Sequence, residues 1–288
     1  MEYIIKNQYL TATIDSKGAE LRTLVDQNQI NRMHIPSVDT WNRVSPILFP
    51  QVSKTRDLLY TVEGKEYHMP MHGFFRDLQL TPIIYKEDEL VFEIKETEET
   101  LKIYPYCFEF KVTYKLIDNA LKVTFKVSNK GKKEMLYMLG GHPGFKVPLY
   151  ENEQYSDYYL KFEEKETVDA MQVVDGYFAN EFKRALTNED VIVLKHEMYN
   201  PDAIVLKDLK SSYVDLMSYK NDKVLRFHFK DFEILAVWSL MKENANFVCL
   251  EPWNGIQKKF VKEHEKMGVL SLKENEEKEF SYTIEIIK

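Results

Sequence analysis

Hydrophobic and polar residues alternate with a period of two along most of this 288-residue chain. Successive side chains of an extended strand point to opposite faces, so this alternation marks strands with one face buried. Residues 10–14 and 20–25 read as strands separated by Ser16-Lys17-Gly18. Residues 59–62 and 65–68 read as a hairpin about Glu63-Gly64, where glycine supplies the positive φ of a tight turn. The pairs 83–85 with 90–94, and 109–116 with 120–127, flank short polar turns in the same way. Further strands are expected at 203–206, 213–217, 224–229, 234–238, 247–250 and 280–287. Helical spacing is confined to a turn or two at 99–104 and 186–190. Closely spaced strands with charged turns between them predict an all-β fold, a large antiparallel β-sandwich with few short helices, rather than βαβ units.

No internal repeat and no Gly/Ser- or Pro-rich linker interrupts the pattern, so a single domain spanning 1–288 is expected. The segment 151–200 is the weakest in pattern and reads as a charged loop, its Glu163-Glu164-Lys165-Glu166 run a solvated surface. Pro252 is expected to end the strand that precedes it, leaving Glu251 projecting from a strand end.

Composition narrows the function classes. A net charge of −7 argues against nucleic acid and against an anionic membrane surface, both of which demand a cationic face. No run approaches the ~18 uninterrupted apolar residues of a membrane span. The N-terminal alternation is unlike a signal peptide, so a soluble, cytoplasmic protein is expected. Cys107 and Cys249 show no metal spacing, and no HExxH, CxxC, P-loop, GxGxxG or GxSxG motif occurs. Neither a metal nor a cofactor is expected.

Three segments carry candidate chemistry: Met71-His72-Gly73-Phe74-Phe75-Arg76-Asp77, Gly140-Gly141-His142-Pro143-Gly144-Phe145 and Cys249-Leu250-Glu251-Pro252-Trp253-Asn254-Gly255. A histidine can carry a proton or hydrogen-bond a hydroxyl near neutral pH. His72 beside Gly73 can serve that role or be a satisfied core histidine, with Arg76 and Asp77 a structural pair. The glycines and proline around His142 specify irregular backbone, where catalytic groups tend to sit. Glu251 lies next to Trp253, and burial against an indole would raise its pKa toward that of a useful base; a structural salt bridge is the alternative. The bracketed stretch 41–50 can line a pocket or cross the core. His34, His68, His196, His228 and His264 lack such context and read as surface or packing residues.

Taken together and in this order, the SPILFP, HGFFRD, GGHPGF and CLEPWNG segments resemble the aldose 1-epimerase (galactose mutarotase) superfamily, most of all its smaller LacX-type branch. The resemblance covers nearly the whole chain. It implies a mutarotase-type β-sandwich with a shallow sugar cleft and no cofactor. It also implies roles: Glu251 as the base at the anomeric hydroxyl, His142 as the acid at the ring oxygen, and His72 in support on that side. Asp202 and Trp253 would contact the sugar, as would Arg76. Relatives usually carry Val-Gly-Arg after the SPILFP-like segment, where this chain has Val52-Ser53-Lys54-Thr55-Arg56. Lys54 stands in the arginine's place and, as a point donor, cannot make a bidentate fork. The activity implied is interconversion of α and β anomers of a free hexose. A hexose-6-phosphate epimerase, with Lys54, Arg56 and Arg43 as phosphate-binding cations, and a non-catalytic sugar-binding or sensor module are the alternatives.

Overall fold

The alternation along the chain is realised as antiparallel ladders. Every second residue of Phe108–Ile117 is buried, and Ala120–Asn129 pairs with it rung for rung across the Asp118-Asn119 turn. Glu277–Glu285 adds to the other edge of Ala120–Asn129, burying Phe280, Tyr282 and Ile284 on the same face. The computed structural model describes residues 1–174, 176–256 and 269–287, so His264 lies outside the described residues.

Among the described residues one sheet contains fifteen strands. Its order runs Ile47–Leu48, Leu139–Gly141, Phe247–Asn254, Ile234–Trp238, Ile204–Lys207, Tyr158–Val174, Tyr213–Ser218, Asp222–His228, Glu277–Glu285, Ala120–Asn129, Phe108–Ile117, Glu89–Lys95 and Pro82–Tyr85. Gly144–Lys146 joins Phe247–Asn254, and Tyr177–Val193 joins Tyr158–Val174. So many twisted strands cannot stay flat, and the sheet curls until its distant parts meet. At that meeting Phe49, next to the first strand in the order, stacks on Phe110 with ring centroids 4.2 Å apart and planes 10° from parallel. Phe145 meets Phe227 across the same core at 5.9 Å. A three-stranded sheet of Glu2–Lys6, Leu10–Asp15 and Glu20–Asp26 closes one side, tied down by the Tyr114 hydroxyl donating to Ala19 O at 2.6 Å. Two two-stranded ladders, the expected hairpin of Leu59–Val62 with Lys65–His68 and the pair Met135–Tyr137 with Leu270–Leu272, join the α-helix Glu98–Ile103, capped by Thr97, and a few 3₁₀ turns to complete the fold among the described residues. The expected all-β sandwich with few short helices is what forms.

Three expectations need correction. The segment 151–200 is not a charged loop: it is dominated by a long hairpin, Tyr158–Val174 and Tyr177–Val193, which also takes in the short helix expected at 186–190. Its register shifts repeatedly between Lys161 and Val173, so the period of two is broken in sequence although the ladder persists. Within the acidic run, Glu166 is buried rather than solvated, its carboxylate accepting from Ser211 N at 2.8 Å and Ser211 Oγ at 2.6 Å. Finally, Pro252 does not end its strand, which continues to Asn254 with Pro252 opposite Leu235.

Because Phe110 closes the seam between distant parts of the sheet, Phe110→Ala should cost about 3–5 kcal/mol of unfolding free energy in urea titration. A loss below about 1 kcal/mol would show that the Phe49–Phe110 contact does not hold the two faces together.

Candidate active site

Phe247–Asn254 is buried along its whole length, with both faces covered. Its two-residue period sends Val248 and Leu250 into the main core and turns Cys249, Glu251 and Trp253 to the opposite face. Across the ladder from these three stand Trp238, Ala236 and Ile234 of Ile234–Trp238. Ala236 faces Glu251, so open space remains above the carboxylate.

The other neighbour brings in His142. Gly140 pairs with Trp253 and Gly144 with Cys249, and this common register puts His142 opposite Glu251. Leu250 N–H donates to Pro143 O at 3.1 Å, so the adjacent His142/Glu251 rung is of the non-hydrogen-bonded kind, whose side chains approach most closely. Pro143 and Pro252 each remove an N–H from this stretch, one on either strand. Gly140 is needed because a Cβ there would lie 2.5 Å from Trp253 Cδ1, where the indole covers the backbone.

His72 arrives from a separate loop. Gly73 bridges to Phe49 at φ 76°, and a Cβ there would stand 2.1 Å from Phe49 O. His72 itself has φ 65°, an uncommon and strained setting for a residue with a side chain. Two contacts with Ser53 hold it: His72 N–H donates to Ser53 O at 2.7 Å, and Ser53 N–H donates to His72 Nδ1 at 3.1 Å. Because Nδ1 is an acceptor, the neutral ring carries its proton on Nε2.

The three side chains converge. His142 Nε2 lies 3.2 Å from Glu251 Oε2, and the His72 and His142 ring centroids are 5.8 Å apart. Trp41 stacks on His142 at 4.9 Å, while Trp238 meets its edge at 5.5 Å. Together they border a cavity of about 230 Å³. That is below the ~300–1,000 Å³ of sites for drug-sized molecules and suits one small ring with its hydroxyls.

Of the residues expected at a site, His72, His142, Glu251, Arg76, Asp202 and Trp253 all line this cavity. Lys54 does not. Its ammonium lies 4.5 Å above the Tyr177 ring, where the long hairpin's returning strand leaves the turn. Arg56 opens a 3₁₀ turn, and its side chain lies outside the described residues. Further walls come from Trp41, Trp238 and Ser53, and from Val173, Gly176 and Phe178 of the hairpin. Trp41 lies in the proline-bracketed stretch; the hairpin residues had no sequence signal once their segment read as a loop. His34 is a packing residue, stacked on Trp41 with Nε2 3.0 Å from Trp41 O.

Burial dominates the electrostatics. It raises the Glu251 carboxyl well above its ordinary range, Asp202 nearby adds to the rise, and the Trp253 indole N–H opposes it. Burial pushes His142 down to about 3; its own backbone works against that, and the Arg76 and Arg43 cations reinforce it. His72 is lowered well below the usual imidazole value by burial, then by His142, Arg76 and Arg43. Burial likewise raises Asp202, against the Ala203 N–H and Lys54. Burial thus favours the uncharged form of each group, the protonated carboxyl of Glu251 and the neutral imidazoles of His142 and His72. Arg76 is partly buried; its Nε makes no hydrogen bond but lies 3.8 Å from Asp77 Oδ2, and Asp77 also binds Arg43 at 2.6 Å.

A family model described as aldose 1-epimerase matches residues 1–270. The chromosomal protein LacX of Lactococcus lactis subsp. lactis is 33% identical over 264 residues, covering 88% of this chain and 87% of that protein. Among solved structures, a galactose mutarotase related enzyme from Lactobacillus acidophilus superposes with a TM-score of 0.95 at 29% identity, covering 100% of this chain and 98% of that one. A galactose mutarotase-like protein from Lactobacillus casei gives 0.93 at 26% identity over the full length of both chains.

The lowered pKa of His72 has a consequence for stability. Above the unfolded-state value of about 6.5 the ring is neutral in both states and costs nothing. As pH falls below it, the unfolded chain gains a proton that the folded chain refuses, so stability drops by about 1.4 kcal/mol per pH unit from this group. Urea unfolding between pH 7 and 5 should show a shallower decline in His72→Gln than in the wild type. Equal slopes would mean that folded His72 titrates normally.

Proposed function

The chain belongs to the aldose 1-epimerase family, and from that premise we propose that it interconverts the α and β anomers of a free hexose, with Glu251 and His142 as the proton-transfer pair. The observation that carries this reading is the 3.2 Å approach of the two buried groups at the wall of a cavity sized for one small ring.

Ring opening needs one proton removed from the anomeric O1 and one delivered to the ring oxygen O5. The C1–O5 bond then breaks, C1=O1 becomes an aldehyde, and O5 becomes a hydroxyl. Glu251 accepts the O1 proton and His142 gives one to O5; rotation about C1–C2 and reversal of both transfers close the other anomer. The pair starts and ends with one proton. Burial favours that proton on Glu251, because neither charge is well solvated there. Sugar hydroxyls replace some of the missing solvation, so the carboxylate–imidazolium arrangement becomes reachable through a short internal transfer.

The other groups fit supporting roles. Neutral His72 offers an Nε2–H donor, which polarises an oxygen without competing for the transferred proton. Asp202 can accept from sugar hydroxyls, and the indole faces of Trp41, Trp238 and Trp253 can stack against the apolar face of the ring. Arg76, which lines the cavity, takes the part that the usual arginine of relatives would fill and that Lys54, turned to Tyr177, does not. The unphosphorylated hexose is favoured because Arg43 and Arg76 both engage Asp77, and Arg76 is the one lysine or arginine bordering the cavity among the described residues.

Polarimetry of freshly dissolved α-galactose and α-glucose should show acceleration by the wild type, lowered about 10²–10⁴-fold in Glu251→Gln. Full activity in that variant removes Glu251 from the chemistry. Sugar binding without acceleration by the wild type makes the protein a binding module, and a preference for the 6-phosphates moves the assignment to phosphorylated sugars. Arg76→Met should raise KM at least about tenfold, a loss of ~1.4 kcal/mol, with a smaller change in kcat. An unchanged KM would contradict a substrate contact.

A further inference from the structure

The period of two that turns Glu251 toward the cavity side turns Cys249 the same way, and the proton transfers above have no use for a thiol. Cys249 Sγ, an imidazole nitrogen of His142 and a carboxylate oxygen of Glu251 all lie within 4.8 Å of one another. All three residues are buried. In tetrahedral zinc sites, with bonds near 2.3 Å to sulfur and 2.0–2.2 Å to nitrogen or oxygen, neighbouring ligand atoms stand about 3.3–3.7 Å apart. The His142–Glu251 pair is already at 3.2 Å, so only the thiol side has to close, by about an ångström.

A second observation points to a ligand. Glu251 is 1% exposed, and its Oε2, the atom facing His142, makes no hydrogen bond within the protein. A buried polar atom left without a hydrogen bond costs about 1–3 kcal/mol, which a cation taking the place of the carboxyl proton would offset. Three protein ligands with an open side is also the arrangement in which zinc keeps a water or substrate as its fourth ligand, and here the open side is the cavity.

We propose that His142, Cys249 and Glu251 bind a thiophilic divalent cation of the zinc class, and that the bound ion stops proton transfer by occupying both reacting groups. Metal binding stands on the cluster alone; inhibition rests on the proposed epimerase activity. A sulfur, nitrogen and oxygen donor set selects zinc or cobalt over magnesium and calcium, which prefer oxygen alone.

Cobalt(II) is the probe, titrated into the full-length protein in a Cys107→Ser background so that the exposed thiol makes no signal. A near-ultraviolet sulfur-to-cobalt charge-transfer band should appear, saturate at one equivalent and be displaced by Zn²⁺. Adding Cys249→Ser should abolish the band. Glu251→Gln, which keeps the thiol, should weaken cobalt affinity by about tenfold or more, as loss of even an outer partner does at metal sites. No band in the Cys107→Ser protein, or a band that survives Cys249→Ser, overturns the site. These readouts hold whether or not the protein turns over sugar. If it does, Zn²⁺ should inhibit competitively with the sugar, and Cys249→Ser should retain turnover while escaping inhibition; inhibition undiminished in Cys249→Ser overturns the inhibitory role.

Discussion

His142 and Glu251 face each other across one rung of an antiparallel ladder, both shut away from bulk water, with 3.2 Å between Nε2 and Oε2. Much of the surrounding structure serves that rung. Gly140 lets the Trp253 indole lie against the backbone, and Ala236 leaves room above the carboxylate. Trp41 and Trp238 fix the plane of the imidazole. The sheet must curl for any of this to hold, because both faces of Phe247–Asn254 are covered only when its distant strands fold back over the core.

Burial is what makes the pair chemically interesting, and it comes at a cost in stability. In water a carboxylate and an imidazole have pKa values about two units apart in the conventional order. Here burial works against that order, raising Glu251 and lowering His142, and so favours the proton on the carboxyl. His72 stays neutral for the same reason and is locked to one tautomer by Ser53 N–H. Such shifts concentrate at functional sites, and a passive sugar-binding surface would have no need of them.

The parts of the fold legible in the sequence were those where one face is buried and the other wet. Phe108–Ile117 and Ala120–Asn129 alternate cleanly because their two faces meet different environments. The Tyr158–Val193 region did not read as strand because the returning strand is largely solvated and register shifts break the period. Its contribution to the cavity, through Val173, Gly176 and Phe178, was hidden with it. Pro252 misled for a related reason: proline marks a lost donor, but the strand survives through its pairing with Ile234–Trp238. The polar site residues were easier to find. His72, His142 and Glu251 sit in segments whose glycines, prolines and tryptophan have a steric purpose that local composition already betrays. Cys249 was invisible as a neighbour of His142, since that proximity depends on register between strands more than a hundred positions apart.

Catalysis at this site requires that the buried pair exchange protons with a sugar. Two-dimensional exchange NMR on an equilibrium mixture of galactose anomers measures this without any assumption about initial rates. With the wild-type protein, cross-peaks between the α and β H1 signals should build up at a rate proportional to protein concentration. A build-up rate equal to that of buffer alone, at a sugar concentration where binding is demonstrated, would contradict it.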